Sequence, residues 1–327
     1  MVPNLYRFYK QNKFAIIISI FISILSLLYI FVIKAKRTNI KLLNWYKFAG
    51  EKEEKRTLEL FKSLLGNSVN NFREVRIYSV FKELVPFKKE KDVLTIQYSG
   101  EAYNKDPNLF DINIIAGDNT QSNIISMPYI FSTMFINELN MNNFTRPRKL
   151  TPNVHNKFCL FAVSNPENEK RTEFFKQLSK YKTVESCGKV MNNVGHLCPG
   201  NHGANEFCSY ISKYKFMICF ENSSVKNYLT EKLLNAFNCG SIPIYWGCPN
   251  VDDYINMSSI LYLKPDYTKD DLTQLLKEIE ILDNNDELFK QKYESIFFKD
   301  GVIPDAFNID ILREKTEVLM TNKLARV

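Results

Sequence analysis

The sequence lacks the short motifs that mark the commonest nucleotide-binding and hydrolytic sites. It contains no GxxxxGKS/T, GxGxxG, HExxH or GxSxG pattern. It also lacks an Asp-x-Asp pair, with which many sugar-transferring enzymes hold a metal–diphosphate complex, because Asp252 and Asp253 are adjacent rather than spaced. A diphosphate ligand of this chain would therefore be neutralised by basic side chains and helix N-termini.

No cysteine precedes residue 159, and no two of the seven cysteines have CxxC spacing, which argues against a structural zinc site. Cys219 and Cys239 lie among apolar residues, which predicts buried thiols. Cys198 and Cys208 flank a loop rich in Gly, Asn and His and are candidates for a disulfide in an oxidising compartment. The odd number leaves at least one cysteine free.

Nor does the chain contain a block of basic residues interleaved with aromatic residues, which argues against a nucleic-acid partner. Its formal net charge of +7 suits an anionic ligand such as a nucleotide diphosphate, but the charge is spread along the chain and also fits an ordinary solvated surface. With 327 residues and 45% hydrophobic content, one large domain or two ordinary ones are expected. N-glycosylation sequons begin at Asn143, Asn222 and Asn256, and such triplets also arise by chance in an Asn-rich chain.

One long hydrophobic run is present. Phe14–Ile33 contains no charged residue, and a helix of about 20 residues spans the ~30 Å hydrocarbon layer of a membrane. The run is longer than the apolar part of a cleaved signal peptide, which predicts an uncleaved transmembrane anchor after a short tail, residues 1–13. Basic residues lie on both sides, so the positive-inside rule gives no orientation. The folded part must follow the anchor.

Residues 34–70 are polar and helical in character and are interpreted as a stem or entry helix. An N-terminal α/β domain is predicted over 71–150. Its β-rich runs cover 75–81, 92–100 and 109–117, each a short apolar segment closed by glycine, proline or a lysine-rich turn.

A proline- and arginine-rich linker, 144–153, precedes a second α/β pattern that defines a C-terminal domain over 151–300. Residues 301–327 are interpreted as a tail. The predicted strands are 157–164, 181–188, 215–223 and 241–247, with helices at 167–180 and 227–237 and an amphipathic helix or helix pair at 271–298. Strands that alternate with helices predict a parallel sheet, and such sheets bind ligands at the carboxyl ends of their strands.

The most informative stretch is KFMICFENSSVKNYLTEKLLNAFNCGSIPIYWG, residues 215–247. Asn222 lies at the carboxyl end of a predicted strand. Tyr228, Glu231 and Lys232 have i, i+3, i+4 spacing, which places them on one face if the predicted helix includes all three. That face would present a ring, a carboxylate and an ammonium to a nucleotide. A capped helix with a surface Glu–Lys pair is the alternative.

The same stretch resembles the signature of the α-1,3-fucosyltransferases, which reads FEN-S, Y-x-TEK, G-x-IP-I-x-WG and then PNV. Those elements stand here as Phe220–Ser223, Tyr228–Lys232, Gly240–Gly247 and Pro249–Val251. The resemblance covers roughly residues 70–300. It implies two Rossmann-like domains facing a cleft, the GT-B type of fold, with an N-terminal acceptor domain and a C-terminal GDP-fucose domain.

Two further strings extend the resemblance. FAVSNPENEKRTEFF resembles the family's VSN-x(5)-R-x-x-FF turn, which implies that Arg171 contacts the donor diphosphate; a helix-surface arginine is the alternative. YSGE, residues 98–101, resembles a strand that ends in Gly-Glu. The resemblance implies that Glu101 is the general base, and an ordinary turn glutamate is the alternative.

The resemblance implies inverting transfer of fucose from GDP-fucose to a glycan hydroxyl, with a family-based preference for O3 of GlcNAc. Lys232 would hold the diphosphate with Arg171, and Glu231 and Tyr228 would position the nucleoside. Asn222 would support the diphosphate or the sugar. The scheme requires no metal cofactor, although a divalent ion could stimulate product release.

Together with the anchor, the resemblance implies a single-pass type II protein of the Golgi or another secretory-pathway membrane, with a lumenal catalytic domain. Two alternatives remain open at the level of sequence. One is another nucleotide-sugar transferase of the same two-domain type. The other is a membrane-tethered glycan-binding protein that has no catalytic activity.

Overall fold

A computed structural model describes residues 18–19, 21–26, 38–45, 50–118, 120–152, 154–200 and 204–325. Within these residues the chain forms two parallel β-sheets of five strands each. The predicted two-domain α/β architecture is therefore confirmed.

The N-terminal sheet follows chain order, and alternate residues of its strands face opposite sides. Ile77 and Ile96 face a core that also contains Leu60 and Phe61 from the first helix. The sheet consists of β1 (Asn39–Leu43), β2 (Glu74–Ser79), β3 (Val93–Ser99), β4 (Ile112–Ile115) and β5 (Ile124–Ser126). Helices α1 (Glu51–Leu65) and α2 (Tyr129–Ile136) accompany it.

The C-terminal sheet has the order β10-β9-β8-β6-β7, so the chain reverses its direction of travel between β6 and β8. In open parallel sheets such a reversal opens a crevice for ligands at the carboxyl ends of the two strands. The strands are β6 (Lys157–Phe161), β7 (Val184–Ser186), β8 (Tyr214–Phe220), β9 (Ile242–Trp246) and β10 (Leu261–Tyr262). The helices are α3 (Glu169–Leu178), α4 (Asn205–Ile211), α5 (Glu231–Asn238), α6 (Lys269–Asn284), α7 (Asp286–Tyr293) and α8 (Ile309–Ala325).

The structure corrects the predicted stem. Residues 39–43 do not lead up to the domain but form β1, which pairs in parallel with β2 along its whole length. Helix α1 packs its buried Leu60, Phe61 and Leu64 into the same domain. The N-terminal domain therefore begins at β1.

The predicted C-terminal tail is also corrected. Helix α8 returns to the N-terminal domain, where Leu312 and Met320 are buried. The Arg313 side chain donates a hydrogen bond to the carbonyl of Ser63 in α1 (Nε to O, 2.6 Å). Lys323 forms an ion pair with Asp111 beside β4 (2.8 Å). The last helix is thus part of the N-terminal domain.

The predicted linker does connect the two sheets, but Arg148 fixes it to the C-terminal domain. The guanidinium of Arg148 lies 3.7 Å from the ring centre of Phe237 and 4.0 Å from that of Tyr293. It also donates hydrogen bonds to the carbonyls of Tyr293 (3.1 Å) and Ser241 (3.2 Å). Cation–π contact and hydrogen bonding together hold the connection against the domain surface.

The cysteine pairing differs from the expected one. Disulfides join Cys187 to Cys198 and Cys208 to Cys239. The expected Cys198–Cys208 bridge is therefore wrong, and so is the expectation that Cys239 is a free thiol. Cys219 is a free buried thiol, as predicted. The sequence could not show that the end of α5 lies against α4.

Eight residues of the predicted anchor are described, 18–19 and 21–26, and they are helical and exposed. In the described part of the chain no helix is both long and apolar enough to cross a membrane. The remainder of 14–33 lies outside the described residues, and the anchor stays a prediction.

Candidate active site

A cleft of about 970 Å³ separates the two sheets, and both domains line it. Five of the six predicted site residues border this cleft: Glu101, Asn222, Tyr228, Glu231 and Lys232. The two domains also contact each other through the backbone. The amide of Ile130 in α2 donates to the carbonyl of Leu229 (2.9 Å).

Lys232 occupies the first turn of α5, whose N-cap is Thr230. The ammonium lies 3.0 Å from the Thr230 hydroxyl and 3.3 Å from one carboxylate oxygen each of Glu231 and Glu221. Burial alone would lower the pKa of Lys232, but the two carboxylates outweigh that effect and raise the pKa. A permanent cation at a helix N-terminus is a site for an anionic group such as a diphosphate.

Glu221 is a residue to which the sequence assigned no role. It follows β8 directly, is fully buried, and accepts hydrogen bonds from the Thr230 amide (2.9 Å) and hydroxyl (2.7 Å). Burial raises the pKa of this carboxyl, and Lys232 opposes that shift. Glu221 therefore fixes both the cap of α5 and the ammonium. The sequence did contain one signal for Glu221, namely its position as a polar residue directly after a predicted buried strand.

Gly247 makes room for Glu221. It has a φ of +151°, and a Cβ at this position would lie 2.4 Å from Cγ of Glu221. Real Cβ atoms do not approach other atoms so closely, and L-residues rarely adopt this φ. The glycine at the end of the IPIYWG string is thus required by the packing of the buried carboxylate.

Arg171 departs from its predicted place. It lies on α3 with only 2% of its surface exposed and is not among the described residues that line the cleft. Its Nε donates to the carbonyls of Phe220 (3.1 Å) and Glu221 (3.2 Å), and its Nη2 donates to Oδ1 of Asn222. Arg171 thus holds the carboxyl end of β8 and orients Asn222, which itself reaches the cleft. The sequence around Arg171 resembles a family motif, which pointed to this residue. Its partners, the carbonyls of Phe220 and Glu221, lie far away in the chain and become its neighbours only in the fold.

Tyr228 precedes α5 instead of lying within it, because the helix begins at Glu231. The predicted i, i+3, i+4 helical face is therefore wrong, although the three side chains still border one cleft. Asn227 adopts a left-handed φ of +63°. Its amide side chain donates to the carbonyl of Gly117 (3.1 Å) and accepts from the Tyr254 hydroxyl (2.7 Å). The contact with Gly117 holds the loop that carries Tyr228 against the N-terminal domain.

Glu101 follows β3 and faces the cleft from the N-terminal domain. Burial raises the pKa of Glu101, and Lys232 and a hydrogen bond from Tyr228 partly offset the shift. Gly100 allows the close approach of this turn to α2, since a Cβ there would lie 2.3 Å from the Tyr129 ring. A half-buried carboxylate with a raised pKa is a stronger proton acceptor than an exposed one.

The two facing α/β domains have the GT-B type of arrangement, with a cationic helix terminus on one side of the cleft and a carboxylate of raised pKa on the other. Residues 152–295 match the model of glycosyltransferase family 10 (fucosyltransferase) C-term. Residues 152–295 are thus similar to the C-terminal part of family 10 fucosyltransferases.

Two relatives illustrate the sequence similarity. A putative fucosyltransferase, R654, of Acanthamoeba polyphaga mimivirus is 33% identical over 218 residues, which cover 64% of this chain and 34% of the relative. Alpha-(1,3)-fucosyltransferase FucT of Helicobacter pylori is 28% identical over 221 residues, 55% of this chain and 45% of the relative. The chain thus spans a third to less than half of these relatives.

Solved structures share the fold over nearly the whole chain. A crystal structure of an alpha1,3-fucosyltransferase matches with a TM-score of 0.66 and 21% identity, covering 87% of this chain and 90% of that one. A crystal structure of an alpha1,3-fucosyltransferase with GDP-fucose matches with a TM-score of 0.62 and 20% identity, covering 88% of this chain and 90% of that one. The two-domain arrangement is therefore that of known fucosyltransferase structures.

Proposed function

We propose that the chain transfers L-fucose from GDP-fucose to a glycan hydroxyl with inversion at the anomeric carbon, and that O3 of GlcNAc is the acceptor position. The observation that carries this proposal is the composition of the cleft. It contains a proton-accepting carboxylate from one domain, Glu101, and a half-buried ammonium at a helix N-terminus of the other, Lys232. The similarity to family 10 fucosyltransferases supports fucose as the transferred sugar.

The side of the cleft that is formed by the C-terminal domain would hold the donor. Lys232 and the positive end of the α5 dipole neutralise the diphosphate. Asn222, oriented by Arg171, hydrogen-bonds the diphosphate or the sugar. Glu231 and Tyr228 border the same cleft and position the nucleoside. No step of this scheme requires a metal ion, and a divalent ion would act only by stimulating release of the product.

The reaction is a single displacement. Glu101 takes the proton from the acceptor hydroxyl while that oxygen forms a bond to C1 of fucose. The bond between C1 and the diphosphate oxygen breaks on the opposite side, which inverts the configuration. The charge that develops on GDP is stabilised by Lys232, whose position is fixed before the reaction by Glu221 and Thr230.

The decisive experiment is turnover of labelled GDP-fucose by the purified chain against a glycan array. Release of GDP with fucose on a GlcNAc-containing glycan supports the proposal, and methylation analysis of the product identifies the linked oxygen. Competition by GDP but not UDP separates it from another nucleotide-sugar transferase. GDP binding without turnover on any acceptor would favour a non-catalytic glycan-binding protein.

A protein acceptor is a second candidate because of one similarity. GDP-fucose protein O-fucosyltransferase 3 of Xenopus laevis is 33% identical over 130 residues, 38% of this chain and 27% of the relative. Serine- and threonine-containing folded modules therefore belong beside the glycan array. If fucose were found on such a module and on no glycan, the acceptor would be a protein hydroxyl and not a glycan hydroxyl.

We further infer a single-pass type II orientation in a secretory-pathway membrane, with the Golgi as the proposed site and the cleft in the lumen. Disulfides persist in oxidising compartments, and two of them, Cys187–Cys198 and Cys208–Cys239, lie in the C-terminal domain. Protease added to intact membrane vesicles should leave the domains uncut until detergent is added. Digestion in intact vesicles would place the cleft on the cytoplasmic side.

A further inference from the structure

The three glycosylation sequons lie in very different environments. Asn222 borders the donor side of the cleft, and its amide oxygen accepts a hydrogen bond from Arg171. The amide oxygen of Asn256 accepts from the backbone of Ser258 (3.0 Å) and so caps a 3-10 turn. Asn143, in contrast, is exposed. Two of the three asparagine amides are therefore committed to the fold.

Asn143 lies in the 3-10 turn Met141–Thr145, at the surface where the first domain ends. Its backbone amide donates to the carbonyl of Asn140 (3.0 Å). Among the described residues its side chain has no hydrogen-bond partner. The exposed amide is thus available to carry a substituent without loss of a contact.

The middle residue of this sequon fixes its presentation. Phe144 is 3% exposed and packs against Phe237, Phe297 and Phe298, with ring centres 5.5–6.0 Å apart. The Thr145 hydroxyl donates to the carbonyl of Asn142 (3.0 Å). The buried side chain of Phe144 therefore fixes the turn, whereas Asn143 lies in solvent. A bulky group on Asn143 would contact no buried surface.

We propose that Asn143 carries an N-linked oligosaccharide, whereas Asn222 and Asn256 do not. This rests on the lumenal orientation proposed above, which exposes the chain to the oligosaccharide-transferring enzyme and its lipid-pyrophosphate-linked donor. In the modification the Asn143 side-chain nitrogen forms a bond to C1 of the sugar and loses a proton. The bond from C1 to the lipid pyrophosphate breaks, and the lipid pyrophosphate leaves.

The test expresses the full chain in a eukaryotic cell with a C-terminal epitope tag that carries its own sequon. Mobility on gels is compared before and after digestion with peptide N-glycosidase. The wild type should lose two steps of mobility shift, one from the tag and one from Asn143. Asn143→Gln and Thr145→Ala should each lose only the tag's step. Thr145→Ser and Asn256→Gln are the controls and should keep both.

The outcomes separate this proposal from the orientation. A glycosylated tag with an unmodified Asn143 overturns the proposed site and leaves the lumenal orientation intact. An unmodified tag overturns both. Loss of a step in Asn256→Gln or Asn222→Gln assigns the glycan to another sequon and is equally fatal to the proposal. Asn143→Gln should retain GDP-fucose turnover, which shows that a lost step does not report misfolding.

Discussion

At the scale of single residues, the proposed reaction assigns different roles to Glu101 of one domain and Lys232 of the other. One carries a pKa raised chiefly by burial, and the other a pKa raised by neighbouring carboxylates in spite of burial. The raised pKa suits Glu101 for accepting a proton, and the charge of Lys232 suits it for binding a phosphate. Each role predicts a different kinetic signature.

Glu101→Gln should lower kcat by ~10²–10⁴ and leave GDP affinity unchanged, because glutamine keeps the shape but cannot take the proton. In the wild type kcat/KM should fall as pH drops through the raised pKa of Glu101, since protonation removes the base. That acid limb should vanish in the variant. Calorimetry with GDP and a pH–rate profile are the measurements, with exposed Glu314→Gln as control. Normal turnover in Glu101→Gln would make Glu101 a turn residue.

Lys232→Ala should weaken GDP binding by about 2–4 kcal/mol, the cost of removing one partner of a shielded charge pair. The variant also removes the ammonium that pairs with the carboxylates of Glu221 and Glu231. Titration calorimetry checks the affinity, and the exposed lysine variant Lys277→Ala controls for net charge. Unchanged affinity in Lys232→Ala would remove this residue from the donor site.

At the scale of elements, the apolar strand runs could be predicted from the sequence, because they depend on neighbours in the chain. The start of α5 could not, since the left-handed Asn227 is held by Gly117 and Tyr254 from distant segments. Strand β1 was missed for the same reason. It is a five-residue segment with polar flanks, and its partner β2 follows some thirty residues later.

Arg171 shows how an element-level contact changes a prediction. The resemblance implied contact with the donor diphosphate, but the guanidinium donates to two carbonyls at the end of β8. Arg171→Ala should therefore also lower the free energy of unfolding by about 1–3 kcal/mol, the cost of removing a donor from buried carbonyls, although that of Glu221 keeps its hydrogen bond from Asn168. Denaturant unfolding without ligand measures this effect, and exposed Lys176→Ala is the matched control on α3. Unchanged stability with reduced GDP affinity would return Arg171 to direct diphosphate contact.

At the scale of the whole molecule, truncation before β1 and removal of α8 are expected to have different effects on stability. A fragment of residues 38–327 should be soluble and active, because β1 and all site residues are retained. Removing residues 309–327 from it should destabilise the protein, since burial of Leu312 and Met320 contributes about 1.5–3 kcal/mol each. Thermal melting and GDP binding compare the two fragments. Equal melting temperatures would mean that α8 is the dispensable tail that the sequence suggested.

The return of α8 to the first sheet has a consequence for the order of events during synthesis. The C-terminal domain is continuous in the chain and is complete once β10, α6 and α7 have been made. The core of the N-terminal domain is incomplete until α8 has been synthesised, because Leu312 and Met320 of α8 belong to that core. Helix α8 follows the entire second domain in the chain. Domains generally fold as units as the chain emerges. In this chain the domain that is synthesised first is the one that finishes last.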